Sequence, residues 1–379
     1  MQRDPAALKA ALADLEQRHL RRARRVGVRA GVVNFCSNDY LGLSAHPEVV
    51  QAFADAVMKY GVGSGASHLV TGHTTAHQNL EEAVAAFTGR EKALVFSTGY
   101  MANMGVIGAL ADQKAAIVSD KLNHASLIDG CRVAGAKVMR YRHADADHAA
   151  ELLAAIEPTV TSRLLVTDGV FSMDGDLAPL PELARYARST NAWLVVDDAH
   201  ALGVIGATGR GSCEHFGLST DDVPVLIGTF GKAFGTFGAF VAGDADLIEY
   251  LIQKSRTYIY TTALPPAVAA ATFAALEVAQ RDTWRRERVL AHARRVHGVL
   301  GLPGTQLSPI VPVILKDEAR ALAASRELES RGFLVTAIRP PTVPPGTARL
   351  RVTLSATHEE SQVDALIAAI ADVVGEVRP

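Results

Sequence analysis

The chain has 379 residues, 49% hydrophobic and 21% charged, with a formal net charge of −2. That length buries a sizeable core, as two domains or one large domain with an appendage, and the near-neutral balance argues against nucleic acid or an anionic membrane as partner. Cys36, Cys131 and Cys213 stand far apart without a CxxC pair, which disfavours a disulfide framework or a zinc knuckle and suits a reducing cytoplasm.

The N-terminal stretch MQRDPAALKAALADLEQRHLRRARR carries Asp4, Asp14 and Glu16 and no continuous apolar run, so it reads as a surface helix rather than a targeting peptide. Two uncharged windows, 93–111 and 257–276, are broken by polar residues and glycines or by Pro265-Pro266, and neither is a uniform membrane span. From Ala76 onward helical and strand-like runs alternate: helix to Phe87, strand Ala93 to Phe96, helix Tyr100 to Leu110, strand Ala115 to Ser119, helix Ser126 to Ala134, strand Lys137 to Tyr141. The rhythm continues with helix Ala146 to Ile156, strand Leu164 to Thr167, helix Leu180 to Ser189, and strands Trp193 to Asp197, from Val225 and Ala239 to Ala242. This alternation predicts an α/β fold with a mostly parallel sheet covered on both faces. An alanine-rich helix from Pro265 leads into a basic segment, 281–295, whose arginines read first as a solvated face. Strands at Ile310 to Leu315, Phe333 to Ile338 and Leu350 to Leu354, with helices Ala319 to Arg331 and Ser361 to Val374, then predict a second, smaller α/β domain. The expected division is an N-terminal helix and arm over 1–35, a large domain over 36–280 and a small one over 281–379.

The stretch VLIGTFGKAFGTFGAF, 225–240, has one charge, Lys232, set among glycines and Phe230, Phe234 and Phe237. A lone lysine at a strand end is usually just solvated, but a poorly solvated ammonium is pushed toward the neutral amine that imine chemistry uses. In a parallel sheet, ligands sit beyond the carboxyl ends of the strands, where both Lys232 and the end of WLVVDDAH, 193–200, are expected. Pyridoxal phosphate requires a lysine, a carboxylate for its ring nitrogen, donors for its phenolic oxygen and an anion cradle. One of Asp197 and Asp198 faces the ring while the other turns away, since neighbours on a strand point to opposite faces; taken without Lys232, Asp197 reads as readily as a helix cap or metal ligand as it does as the ring partner. Ser97 to Tyr100 opens a helix after a strand and supplies backbone N–H groups for a phosphate, although taken alone it is an ordinary N-cap. Thr229 offers a hydroxyl, His124 a ring to stack on the cofactor, and Ser172 follows another strand end.

NFCSNDYLGL at 34–43, GSGASHLVTG at 63–72, DGVFSMDGDLAPL at 168–180, VDDAH at 196–200 and TFGKAFG at 229–235 together resemble the α-oxoamine synthases, pyridoxal-phosphate enzymes that condense an amino acid with an acyl thioester and lose carbon dioxide. The resemblance covers nearly the whole chain. It implies an aspartate-aminotransferase-like large domain, Lys232 as the Schiff-base lysine, Asp197 at the ring nitrogen, and Ser172 and His200 at the ring side. It also implies His124 stacked on the ring, with Gly99, Tyr100 and Thr229 seating the cofactor and Arg21, Asn38, Arg339 and Thr342 meeting substrate. The segment AIRPPTVPPGTARLRVTLSATH, 337–358, is most similar to the biotin-pathway branch, which implies L-alanine and a pimeloyl thioester on coenzyme A or an acyl carrier protein as substrates, and a cytoplasmic homodimer. The chain departs from the family pattern at Ala201-Leu202-Gly203, where many relatives have Gly-Thr-Gly. Siblings such as glycine C-acetyltransferase differ by one methyl on the amino acid, worth only ~1–3 kcal/mol. In a different class, a metal hydrolase would draw on Asp197, Asp198, His200, His73 and His77, but no HExxH accompanies them.

Overall fold

The computed structural model describes residues 4–376 apart from 19, 23 and 304–306. Helix α1 (Pro5–Gln17) starts at Asp4, whose carboxylate accepts from Ala6 N at 2.9 Å, and buries none of its residues. Strand β1 (Val33–Asn34) is followed by α2 (Pro47–Tyr60), a π-helical turn at His68–Gly72, α3 (Thr75–Thr88), β2 (Lys92–Phe96), α4 (Gly99–Leu110), β3 (Ala116–Asp120), α5 (Ala125–Ala134), β4 (Lys137–Tyr141) and α6 (Ala146–Ala154). Next come β5 (Arg163–Asp168), α7 (Leu180–Ser189), β6 (Trp193–Asp197), α8 (Ser212–Phe216), β7 (Val225–Thr229), β8 (Ala239–Gly243), α9 (Ala245–Lys254), α10 (Arg256–Ile259) and α11 (Pro266–Arg281). The C-terminal part is α12 (Trp284–Val299), β9 (Ile310–Lys316), α13 (Glu318–Ser330), β10 (Phe333–Leu334), β11 (Thr336–Ile338), β12 (Ala348–Thr353) and α14 (Glu360–Glu376).

Seven strands form one sheet in the order β2-β8-β7-β6-β5-β3-β4, parallel except that β8 runs against both its neighbours. The reversal follows from connection length, because the short segment 230–238 between β7 and β8 turns the chain back but is too short for a crossover. Strand residues alternate between two cores. Val195, Val225 and Ile227 pack with α4, α5 and α9, whereas Leu194, Val196 and Leu226 pack with α6 and α7. Continuing that alternation past the end of β6 sends Asp197 and Asp198 to opposite faces.

A three-stranded antiparallel sheet, β11-β12-β9, carries α12, α13 and α14. It shares one hydrophobic cluster with α2, α3 and α11, through residues such as Leu80, Leu202, Val289 and Leu350. The predicted strand 333–338 is two: β10 pairs in parallel with β1, and β11 pairs with β12, because Val335 between them is buried and turns the chain from one partner to the other. Helices α2, α8, α9 and α10 lie outside the sequence expectations. No helix among the described residues is long and apolar enough to cross a membrane.

Candidate active site

The parallel strands β3, β5, β6 and β7 deliver Asp120, Asp168, Asp197 and Thr229 to one edge of the sheet. Asp168 and Asp197 are direct partners across β5 and β6, and both are buried. Asp197 accepts from Asn103 Nδ2 at 2.6 Å on one oxygen and from Ala199 N at 3.1 Å on the other. Asp198 points the other way, to Ser212 Oγ at 2.6 Å and Ser212 N at 2.8 Å, where it starts α8. The carboxylates are thereby divided as strand alternation requires: one at the site, one in structural service. Burial pushes Asp198 up to about 6 against its Ser212 hydrogen bonds. Burial, and next the neighbouring Asp197 charge, push Asp168 well above the ordinary carboxylate range.

Lys232 lies in the turn between β7 and β8. Gly235 N donates to its carbonyl at 2.9 Å, Phe230 N to Gly238 O at 2.9 Å, and Thr229 Oγ1 to Gly238 O at 2.9 Å. Two glycines let this turn approach its neighbours: a Cβ on Gly235 (φ +65°) would fall 2.3 Å from Ser44 N, and one on Gly203 (φ +85°) 2.6 Å from Ala233 Cβ. Phe230 and Phe234 are buried, but Phe237 is 52% exposed and faces outward rather than enclosing the lysine. Burial lowers the Lys232 ammonium to about 8; Asp197 and Asp168 are close enough to oppose that shift, and Arg351 reinforces it.

His200, buried after β6, is hydrogen-bonded through Nδ1 to the Tyr40 hydroxyl at 2.6 Å. Tyr40 OH also lies 3.3 Å from Asn38 Oδ1, which accepts from both terminal nitrogens of Arg351 at 3.2 Å. Arg351 further donates to the Ser172 carbonyl at 2.6 Å and to Thr353 Oγ1 at 2.9 Å. Desolvation, with Lys232, Arg351 and His124 nearby, holds His200 well below its ordinary value, so it is neutral. Arg351 is buried with neutral acceptors only; among the described residues no carboxylate pairs with it. His124 caps α5, its backbone N–H bonded to Asp168 Oδ2 at 2.7 Å and its Nδ1 2.6 Å from Ser126 Oγ. Desolvation lowers its pKa, Asp197 opposing and Lys232 assisting.

Gly99 and Tyr100 open α4, where the first backbone N–H groups have no intrahelical acceptor. The Thr98 hydroxyl accepts from Met101 N at 3.2 Å, and a Cβ built on Gly99 meets nothing within 4 Å. An open, uncharged helix N-terminus beside a desolvated lysine and a hydrogen-bonded aspartate fits the three demands of pyridoxal phosphate for an anion cradle, an amine and a carboxylate.

Other expected residues stand further out. The Tyr100 hydroxyl bonds Asp129 and the ring is 42% exposed. Thr229 spends its hydroxyl on the Lys232 turn, and Ser172 joins the network through its carbonyl. Arg21 pairs with Glu16 at 2.7 Å on the exposed N-terminal arm. Arg339 and exposed Thr342 share one turn, Thr342 N donating to Arg339 O at 3.1 Å, after which Val343 is buried. Sequence reasoning missed Tyr40, Asn103, Ser126, Asp168 and Arg351. Tyr40 and Asp168 lie inside quoted motifs and Arg351 inside the 337–358 segment, but nothing in their spacing marks them.

The residues of the metal-hydrolase reading divide between two places. His73 and His77 meet His68 with ligand-capable atoms within 4.8 Å of one another, away from Asp197. Yet His77 accepts from Thr74 N at 3.0 Å on Nδ1 and bonds Leu264 O at 2.5 Å through Nε2, so both its nitrogens are already committed. His68 and His73 meet through their Nδ1 atoms at 3.0 Å. These pairings make the cluster a self-satisfied knot rather than an open hydrolytic centre.

Residues 30–370 match the family described as Aminotransferase class I and II. The chain is 57% identical to the 8-amino-7-oxononanoate synthase of Methylococcus capsulatus over 98% of both chains, and 56% identical to that of Saccharophagus degradans over 94% and 90%. Among solved structures, a serine palmitoyltransferase from S. paucimobilis with bound PLP superposes at a TM-score of 0.91 with 32% identity, covering 99% of this chain and 100% of that one. The 8-amino-7-oxononanoate synthase of Francisella tularensis superposes at 0.79 with 31% identity over 91% and 98%.

Proposed function

The chain belongs to the class I and II aminotransferase family, and from that premise and the geometry of the strand-end cleft we propose that it catalyses the decarboxylative condensation of L-alanine with a pimeloyl thioester to give 8-amino-7-oxononanoate, carbon dioxide and the free carrier. The observation that carries the chemistry is Lys232, lowered to about 8 within electrostatic reach of Asp197. The choice among siblings rests on relatedness, because the curated relatives matched at 57% over 98% and at 56% over 94% of the chain are both 8-amino-7-oxononanoate synthases.

Lys232, Asp197, Gly99, Tyr100, Ser172, His200, Thr229 and His124 would hold the cofactor. Bound there, pyridoxal phosphate supplies an electron sink for the charge released when the α-C–H bond breaks. A lysine near 8 is about 300-fold richer in free amine at neutral pH than one at 10.5, so Lys232 serves as both attachment point and base for the α-proton. Asp197, fixed by Asn103 and Ala199, presents a carboxylate to the ring nitrogen. Arg351, buried with neutral partners only, holds the amino acid's carboxylate, and the Asn38–Tyr40–His200 chain keeps its guanidinium oriented. Arg21, Arg339 and Thr342 would reach the acyl substrate from the rim. A homodimer in the cytoplasm, a pimeloyl donor on coenzyme A or acyl carrier protein, and domains divided near 280 complete the proposal.

The test is carbon dioxide release by the purified yellow protein with alanine, glycine and serine against pimeloyl, acetyl, succinyl and palmitoyl thioesters. Alanine with the pimeloyl donor should turn over fastest. Faster turnover of glycine with acetyl-CoA would reassign the chain to a sibling activity, and a colourless protein unaffected by hydroxylamine would remove the cofactor reading altogether.

A further inference from the structure

Five residues from α4, α5 with its cap, β5 and β6 form one circuit that includes Asp197. Asn103 on α4 donates through Nδ2 to Asp197 Oδ2 at 2.6 Å and to Ser126 Oγ at 2.8 Å. Ser126 Oγ lies 2.6 Å from His124 Nδ1, and Ser126 N donates to the same Nδ1 at 3.3 Å. The His124 backbone N–H returns to Asp168 Oδ2 at 2.7 Å, beside Asp197 on the next strand.

Every direction in this circuit is forced. A carboxylate only accepts, so the Asn103 amide must turn its NH2 toward Asp197; its Oδ1 then lies buried without a partner among the described residues. The second amide hydrogen goes to Ser126 Oγ, so the serine hydroxyl accepts there and has its own hydrogen free for His124. A backbone N–H only donates, so Nδ1, which receives Ser126 N as well, has to be an unprotonated acceptor.

We propose that Asn103 and Ser126 are positioning residues that dictate which nitrogen of His124 carries the proton, locking Nδ1 as an acceptor and presenting Nε2–H to the cleft. A cationic His124 would set an Nδ1–H against a backbone N–H and lose the donor from Ser126. The groups around it divide in sign: Asp197 favours the imidazolium, Lys232 opposes it, and Asp168 is engaged with the backbone N–H alone. Net, His124 is held below its ordinary pKa, with desolvation the largest cause. Only the identity of what Nε2–H meets, the thioester carbonyl oxygen or the amino acid carboxylate, rests on the proposed condensation; the tautomer does not.

The experiment is a long-range 1H–15N spectrum of the holoenzyme labelled with 15N-histidine, with His124 assigned by its loss in His124→Gln. At pH 7.5 the wild type should show a bare Nδ1 and a protonated Nε2. Ser126→Ala, and separately Asn103→Ala, should populate the second tautomer and raise the His124 titration by roughly half to one unit, the worth of one hydrogen bond. The acid limb of kcat/KM should move with it, whereas Ser126→Thr, which restores the hydroxyl, should return both toward wild type. A merely structural cap would leave that limb in place. Cofactor absorbance and a thermal melt verify that each variant folds; if none folds, the wild-type spectrum alone decides. A protonated Nδ1 in the wild type, or an unshifted His124 in folded Ser126→Ala, overturns the proposal, and neither result depends on which thioester the enzyme prefers.

Discussion

Replacing Lys232 by Met should stabilise the cofactor-free protein while abolishing turnover. The amine's ordinary value is 10.5 and burial brings it to about 8, so at pH 7 folding carries a charge into a site that disfavours it. At about 1.36 kcal/mol per unit, a shift of roughly 2.5 units corresponds to about 3 kcal/mol, an upper figure because the side chain is only partly buried. The sign follows from proton counts. Below pH 8 both folded and unfolded chains bind the proton and the penalty is complete; between 8 and 10.5 the unfolded chain keeps it and the folded chain releases it, so wild-type stability rises with pH. The methionine variant has no such group. Urea unfolding of the two cofactor-free proteins should therefore show the variant more stable at pH 7 by up to about 3 kcal/mol, the gap closing to under about 1 kcal/mol at pH 10. The cofactor must be removed because an imine would occupy the amine. A variant no more stable than wild type at pH 7, or a gap that ignores pH, would refute the claim that Lys232 is desolvated.

Asp197→Asn should keep the fold, because the amide can still accept from Asn103 or Ala199, but lower turnover by about 10^2 or more, the ~3 kcal/mol attached to a buried charge partner; steady-state kinetics check it, and a loss under fivefold would contradict the role. Arg351→Lys should raise KM for alanine by about 10- to 100-fold with a smaller change in kcat, since a lysine cannot reproduce a planar fork whose charge-assisted bonds are worth ~1.5–3 kcal/mol. His143 sits between Asp120 at 3.2 Å and Asp176 at 3.0 Å; burial pushes it down, but the two carboxylates outweigh burial and raise it to about 10. Its contribution is complete below about 6.5 and fades as pH climbs through 10, so the stability gap between wild type and His143→Gln in denaturant melts should narrow over that interval.

The alternation of apolar runs located the seven strands of the main sheet within a residue or two, because the inner strands, buried on both faces, are short, continuous and bounded by turn residues, while the edge strand β4 is fixed by its spacing after α5. Helix α2 escaped since its apolar residues do not form a closed stripe: Val50, Phe53 and Met58 are exposed on the surface that packing on α11 leaves open. The break at Val335 was equally invisible, because it depends on β10 leaving the nearby β12, which β11 pairs with, for β1 at the far end of the chain. At the site, Lys232, Asp197, His200 and His124 were legible from their positions beyond strand ends. Asn103 and Ser126 were not: Asn103 is a polar residue inside an apolar helix whose partner Asp197 lies on a strand 94 residues away, and Ser126 in the first turn of α5 reads as an ordinary helix-start serine.

The same contrast explains how opposite electrostatic demands are met within one cleft. In the proposed reaction, imine formation and α-proton removal would need Lys232 neutral and the ring nitrogen would need Asp197 as an anion, and simple proximity would drive both groups into an ion pair. The cleft avoids this by giving Asp197 its own donors, Asn103 Nδ2 and Ala199 N, so that its charge is satisfied by neutral groups. Arg351 is treated in mirror image: its guanidinium is satisfied by neutral acceptors, which under the proposed reaction leaves it available for a carboxylate that arrives with substrate. His200 and His124 are held neutral by desolvation, so neither adds a competing cation. Charges in this cleft are thus kept apart by dipoles of the protein until the ligands supply their counterparts, and that preorganisation is what a random constellation of the same residue types would lack.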